Sequence, residues 1–264
     1  MSESQVSTSS RERNGRAGKR GRFAMLFWLL VVALALPVAV PDGPIIRRLM
    51  SAVLFVVMLS GLNAISNSRR ELIIGTCLTV LAVVLNLTGL GLEAFRLYMA
   101  SQYLYLAFFV FLAVKMLRWT MQQHEIDSET IYGAVSVYLL MALIWGLAFF
   151  SIMLTSPGSF HFPDEDQLGA IQAARAAPVV ERTSPVVVDW TGVSDSAQGT
   201  MMYYSFVTLT TLGYGDIYPA SDVTRILAML EATLGQLYLV ILVARLVGLY
   251  TSQETERRKK ATPT

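Results

Sequence analysis

The sequence predicts an all-α membrane protein with six crossing helices and one shorter helix between the fifth and the sixth. Three observations predict it. Of the 264 residues, 54% are hydrophobic and only 15% charged, where a soluble domain carries about a quarter charged. The mean hydropathy is +0.51. The apolar residues also fall in unbroken blocks close to the roughly 20 residues that a helix needs to cross a bilayer.

Residues 1–22 are rich in Ser, Arg and Gly, cannot bury enough apolar surface to fold, and are expected to form a disordered basic segment. Four apolar runs follow within 23–118: Phe23–Val40, Ile45–Ser66, Glu71–Leu90 and Leu97–Leu117. Pro41-Asp42-Gly43-Pro44, Ser68-Arg69-Arg70, the pair Gly89 and Gly91, and Arg118 punctuate them. A polar linker, 119–130, ends in a helix-capping residue, Asp127 or Ser128. The fifth helix is expected over 131–154. A loop, 155–196, carries Pro157, Pro163, Pro178 and Pro185 and no sustained apolar period. A short helix, 197–210, is too brief to cross. The segment 211–216 follows, then a long helix over 222–252 and a basic tail, 253–264, too short for a ligand-binding domain of its own.

Lys and Arg placement sets the orientation. With both termini in the cytoplasm and six alternating crossings, the basic clusters at 11–22, 69–70, 115–118 and 257–260 all lie inside. Only Arg47, Arg48, Arg96, Arg175 and Arg182 lie outside, of which Arg47 and Arg48 run against the bias. The proline-rich loop is then outside. The expected location is the cell (inner) membrane, multi-pass. The basic start and Phe23–Val40 also fit a secretory signal peptide, which would leave five crossings.

The composition argues against other classes. A formal net charge of +2 gives no global field for a nucleic-acid partner. The single cysteine, Cys77, lies in an apolar run and reads as a small buried hydrophobe. No nucleophile elbow, phosphate loop, zinc spacing or catalytic carboxylate pair is present, and His124 and His161 stand apart. No enzyme chemistry and no organic cofactor are expected.

The chemistry concentrates in Thr208-Leu209-Thr210-Thr211-Leu212-Gly213-Tyr214-Gly215-Asp216-Ile217-Tyr218-Pro219. This string resembles the signature of potassium channels of the voltage-gated-like six-transmembrane superfamily, in their bacterial form. In these, a threonine, a small apolar residue and Gly-Tyr-Gly form the selectivity filter. The resemblance is specific over about 131–252 and architectural over 23–118. It implies an outer helix at 131–154, a re-entrant pore helix at 197–210, a filter at 211–216 and an inner helix at 222–252, assembled as a homotetramer in the bilayer. By the same resemblance, the carbonyls of Thr211, Leu212, Gly213 and Tyr214, with the Thr211 hydroxyl, bind K⁺ as the permeant ion.

The physics explains the residue types. A bare ion in a low-dielectric medium costs tens of kcal/mol on a Born estimate, so rings of backbone carbonyls must replace its hydration shell. Glycines at 213 and 215 supply backbone conformations that other residues resist. A pore helix entering from outside would aim its negative C-terminal end at the ion. Leu212 departs from the valine or isoleucine of most relatives, which bears on how strongly K⁺ is preferred over Na⁺. Tyr203 and Tyr204 stand where many relatives have paired tryptophans; they either brace Tyr214 or Asp216 or simply pack, and Gly215 and Asp216 complete the filter support.

On the inner helix, Gly235 falls where relatives keep a hinge glycine, a position equally open to close packing. Glu231, one turn earlier, is a costly intramembrane carboxylate. It is expected to be protonated or hydrogen-bonded to the short helix. Gln236, Leu239 and Val243 are cavity-lining candidates by analogy. Voltage-gated relatives carry arginines every third residue of the fourth helix. Here 97–114 has no basic residue, so conventional voltage gating is not expected. The expected function is a passive potassium-selective channel. A less selective monovalent cation channel and a non-conducting regulatory subunit with a vestigial filter are the alternatives.

Overall fold

A computed structural model of the chain describes residues 21–39, 44–65, 69–92, 94–123, 127–162 and 197–261. Residues 1–20 of the basic segment, 124–126 of the linker, 163–196 of the loop and 262–264 of the tail lie outside the described residues. So do the side chains of Arg47 and Arg48.

The described chain is helical apart from two short strands. Helices α1 (Arg22–Ala39), α2 (Pro44–Ile65), α3 (Arg69–Gly91) and α4 (Phe95–Gln122) make a bundle. Helix α5 (Ser128–Thr155), strand β1 (Phe160–His161), helix α6 (Ala197–Leu209), strand β2 (Tyr218–Pro219) and helix α7 (Asp222–Ala261) follow. Among the described residues, three helices are long and apolar enough to cross a membrane: Phe95–Gln122, Ser128–Thr155 and Asp222–Thr255. The apolar stretches of α1, α2 and α3 are shorter, Arg22–Leu36, Leu49–Ala64 and Gly75–Gly89. At 1.5 Å per residue, the 18 residues of α1 reach about 27 Å.

Helix ends follow local chemistry. Asp127 caps α5, its side chain accepting from the Thr130 backbone N–H at 2.8 Å, so the helix starts three residues before the expected 131. The last helix runs nine residues past its expected end at 252. Nothing breaks it there: an i,i+4 pair, Glu254 with Arg258 at 3.2 Å, supports the added turns, and the next proline is Pro263. The stretch read as a basic tail is therefore mostly helix.

The core has two parts. The larger joins the bundle to α5, with Leu26, Leu30, Leu54, Phe109, Met116 and Leu140 fully or almost fully buried. Phe23 stacks on Trp119 at 4.2 Å, and the Glu129 carboxylate at the start of α5 accepts from the Gly21 and Phe23 backbone N–H groups. Helix α1 is thus capped by α5 from more than a hundred residues away. The smaller core lies among α5, α6 and the strands, where Phe149, Phe160 and Tyr204 meet edge to face at 5.2–5.5 Å. The two strands pair antiparallel, His161 opposite Tyr218, and so clip the chain after α5 to the chain after 211–216.

Candidate functional site

Segment 211–216 leaves the C-terminal end of α6 through a tight turn. The backbone N–H groups of Leu212 and Gly213 both reach the Val207 carbonyl, at 2.9 and 3.4 Å. Thr211, Gly213 and Gly215 have φ of 57°, 60° and 79°, while Leu212 and Tyr214 do not have positive φ. The backbone alternates in hand, residue by residue. At the two glycines this conformation is free of steric cost. At Thr211, the only described non-glycine residue with positive φ, it stores strain of about 1–3 kcal/mol. Such strain persists only where surroundings over-determine it. Here Gln236 on α7 donates to the Thr211 hydroxyl at 3.4 Å.

The segment is bare in the single chain. Leu212 is 54% and Tyr214 68% exposed, and a Cβ at Gly213 or Gly215 would meet nothing within 4 Å. The glycines answer to backbone conformation, not to a neighbour in the same chain.

The two tyrosines divide the roles foreseen for them. The Tyr203 hydroxyl donates to Asp216 Oδ2 at 2.8 Å. Partial burial, then that bond, push the hydroxyl from its ordinary value near 10 up to about 12. Because the folded value is raised, this contribution is complete below about 10 and is lost as pH rises through about 12. Tyr204 instead packs between Phe149 and Phe160.

Glu231 is completely buried and lies against Ser205 of α6, Oε1 to Oγ 2.5 Å. Ser205 Oγ is also 2.7 Å from the Ala142 carbonyl of α5. A serine hydroxyl has one hydrogen, and a carbonyl only accepts. Both contacts are hydrogen bonds only when the second proton comes from Glu231. Its other oxygen, Oε2, is buried with no partner, a geometry suited to a neutral acid and very costly for a carboxylate. Bonding to the short helix, one of the two alternatives posed by the sequence, is present, and its geometry is compatible with the other, protonation.

Gly235 sits against the end of α6. A Cβ there would come within 2.7 Å of Leu209 Cδ1 and 2.8 Å of the Leu209 carbonyl oxygen. What the structure gives this glycine is a close approach of two backbones. The same carbonyl accepts from the Tyr138 hydroxyl of α5 at 3.1 Å.

One pattern escaped the sequence reading. Thr224, Glu231, Tyr238 and Arg245 recur every seventh residue of α7, and each bonds a different part of its own chain. Thr224 donates to the Ser159 carbonyl at 2.9 Å, and Glu231 engages α6. Tyr238 donates to the Ala134 carbonyl of α5 at 2.6 Å, and Arg245 reaches the end of α4. Ala228, Gly235 and Leu242, all buried, fill the stripe between them. Arg245, an ionisable residue deep in an apolar run, was the available signal.

Residues 183–252 match a family model described as Ion channel. The matched stretch takes in α6, segment 210–221 and most of α7. No curated protein and no solved structure matches the chain. Residues 183–252 are thus similar to an ion-channel domain, and with the apolar helices this supports a transmembrane protein of ion transport.

Proposed function

We propose that the protein is a passive potassium-selective channel, with 211–216 as its selectivity filter. The observation that carries this reading is the alternating backbone of Thr211, Gly213 and Gly215, held at the end of a short helix and bare on one side. Alternation of hand turns successive peptide groups of a short segment toward a common side, the backbone form that a stack of carbonyl rings needs. Such rings require symmetric copies. The proposed assembly is a homotetramer, with α5 as outer helix, α6 as re-entrant pore helix and α7 as inner helix. Exposed α7 residues such as Ile226, Met229, Val240 and Val247, each more than half exposed, supply apolar surface for neighbouring copies and the bilayer.

In this reading all six long helices cross the cell membrane and both termini are cytoplasmic. K⁺ binds at Thr211, Leu212, Gly213 and Tyr214, with Gly215, Asp216, Tyr203 and Tyr204 in support. A fourth helix without basic residues in 97–114 favours a channel that is not conventionally voltage-gated. The second reading, a less selective monovalent cation channel, is favoured by Leu212.

Flux in proteoliposomes tests the proposal. Wild type passes K⁺, and Gly213→Ala, which puts a Cβ on a residue at φ 60°, lowers flux at least about tenfold through strain and misaligned carbonyls. Competition among K⁺, Rb⁺ and Na⁺ separates the two readings. Absence of any cation flux in the wild-type assembly favours the non-conducting subunit and sinks both.

A further inference from the structure

Arg245 lies 21 residues along α7 from Thr224, about 30 Å down the helix axis, in the half of α7 remote from segment 211–216. Its guanidinium bonds three main-chain carbonyls and one sulfur. Nη1 donates to the Thr120 carbonyl, and Nη2 donates to the carbonyls of Met121 and Gln123, each at 2.7 Å. Met121 Sδ lies 3.7 Å from Nη1. These are carbonyls of the last turn of α4 and of its cap residue Gln123, where the helix carries its partial negative charge; the Thr120 carbonyl also accepts from the Gln123 backbone N–H at 3.4 Å. Among the described residues no carboxylate pairs with Arg245.

The chemistry of this contact is specific. A guanidinium keeps its charge at any accessible pH and presents donors in a fixed fork, which suits several carbonyls converging at one helix end. An ammonium would offer one point charge to the same set. The contact also joins elements far apart in sequence and in fold: α4 belongs to the four-helix bundle and α7 to the ion-channel domain. Its direction is set by the stripe on which Arg245 stands. Thr224, Ala228, Glu231, Gly235, Tyr238, Leu242 and Arg245 face their own chain, and the opposite faces of α7 are exposed. A pull on Arg245 toward α4 is a pull away from those exposed faces.

We infer that Arg245 is a positioning residue that ties the inner half of α7 to the four-helix bundle and holds the inner mouth of the conduit wide. The inference rests on the channel reading, in which the exposed faces of α7 surround the conduction axis. Drawing Arg245 toward α4 then draws the helix off that axis. Without arginine gating charges, the bundle would act on the pore through this tie.

The test uses the full chain, reconstituted in planar bilayers with K⁺ on both sides. Arg245→Gln lowers open probability about tenfold, the loss expected for charge-assisted bonds that favour one of two states, while unitary conductance and the K⁺ to Rb⁺ ratio stay at wild-type values. Arg245→Lys falls between the two. An unchanged or raised open probability in Arg245→Gln overturns the inference, and so does a changed unitary conductance, which would place the effect at the filter. Hydrogen exchange in detergent reads the tie independently of conduction. Amides in the last turn of α4 exchange faster in Arg245→Gln, and in Arg245→Lys if the first variant does not assemble; wild-type protection in the variant overturns the tie. A wild-type protein that conducts nothing defeats the channel reading, and the exchange measurement still decides whether Arg245 holds α4.

Discussion

Helices α5 and α7 are both apolar and both long enough to cross a membrane, yet their own chain covers them very differently. In the apolar window of α5, 72% of residues are buried; in that of α7, 17%. Helix α5 touches α1, α4 and α6 and serves as the post around which the chain is built. Helix α7 is buried against its own chain along one stripe of seven residues, touches it with a few others such as Gln236, and leaves most of its circumference open. The difference teaches that folding of one chain and completion of the site are separate problems. Residues on α5 decide the first and, in the proposed assembly, most of those on α7 decide the second.

Substitutions can break this contrast. The largest effect is expected at Leu140, fully buried on α5, where Leu140→Ala should cost about 2–5 kcal/mol of chain stability. Unfolding in detergent measures it, and a loss below about 1 kcal/mol would mean that α5 is not the post. Next comes Glu231. Its amide analogue can still donate to Ser205, so Glu231→Gln should keep thermal stability near wild type, while Glu231→Ala strands Ser205 and costs about 1–3 kcal/mol. Equal damage from both would mean that the ionised group is needed. Tyr238→Phe removes only the 2.6 Å bond to Ala134 and should cost about 1 kcal/mol, read by the same unfolding assay. The smallest effect on the chain is expected at Val240, 65% exposed on α7. There Val240→Ala should leave unfolding of the chain within about 0.5 kcal/mol and shift the balance of oligomer and monomer seen by light scattering in detergent. Destabilisation matching that of Leu140→Ala would erase the contrast.

What the sequence made legible was local. Apolar runs marked the helices because each run acts on its own length of bilayer or core. Asp127 was readable as a cap because its partner, Thr130, is three residues away. The string from Thr211 to Asp216 stood out because its glycines are needed by their own backbone. Glu231 announced itself as a carboxyl group among apolar neighbours, although only the structure supplied Ser205 and Ala142. The rest depended on partners far along the chain. Tyr238 and Thr224 are ordinary residues until Ala134 and Ser159 are set beside them, and nothing near Glu129 hints that it caps a helix beginning at Arg22. Arg245 carried a visible signal, but its acceptors are main-chain carbonyls, which have no letter of their own in a sequence. The overlong α7 was missed for a simpler reason: loss of apolar character ends a crossing segment without ending a helix.

The sevenfold spacing of Thr224, Glu231, Tyr238 and Arg245 has a geometric consequence. A straight α-helix places every seventh residue about 20° behind the one before, so a seam with three such steps drifts about 60° around the axis. To keep all four bonds, α7 has to wind left-handedly over the surface it rests on. Any outward swing of its far end is then also a rotation, as a screw turns when it travels. Motion at the Arg245 end would reach the Glu231 level as torque before it arrived as displacement.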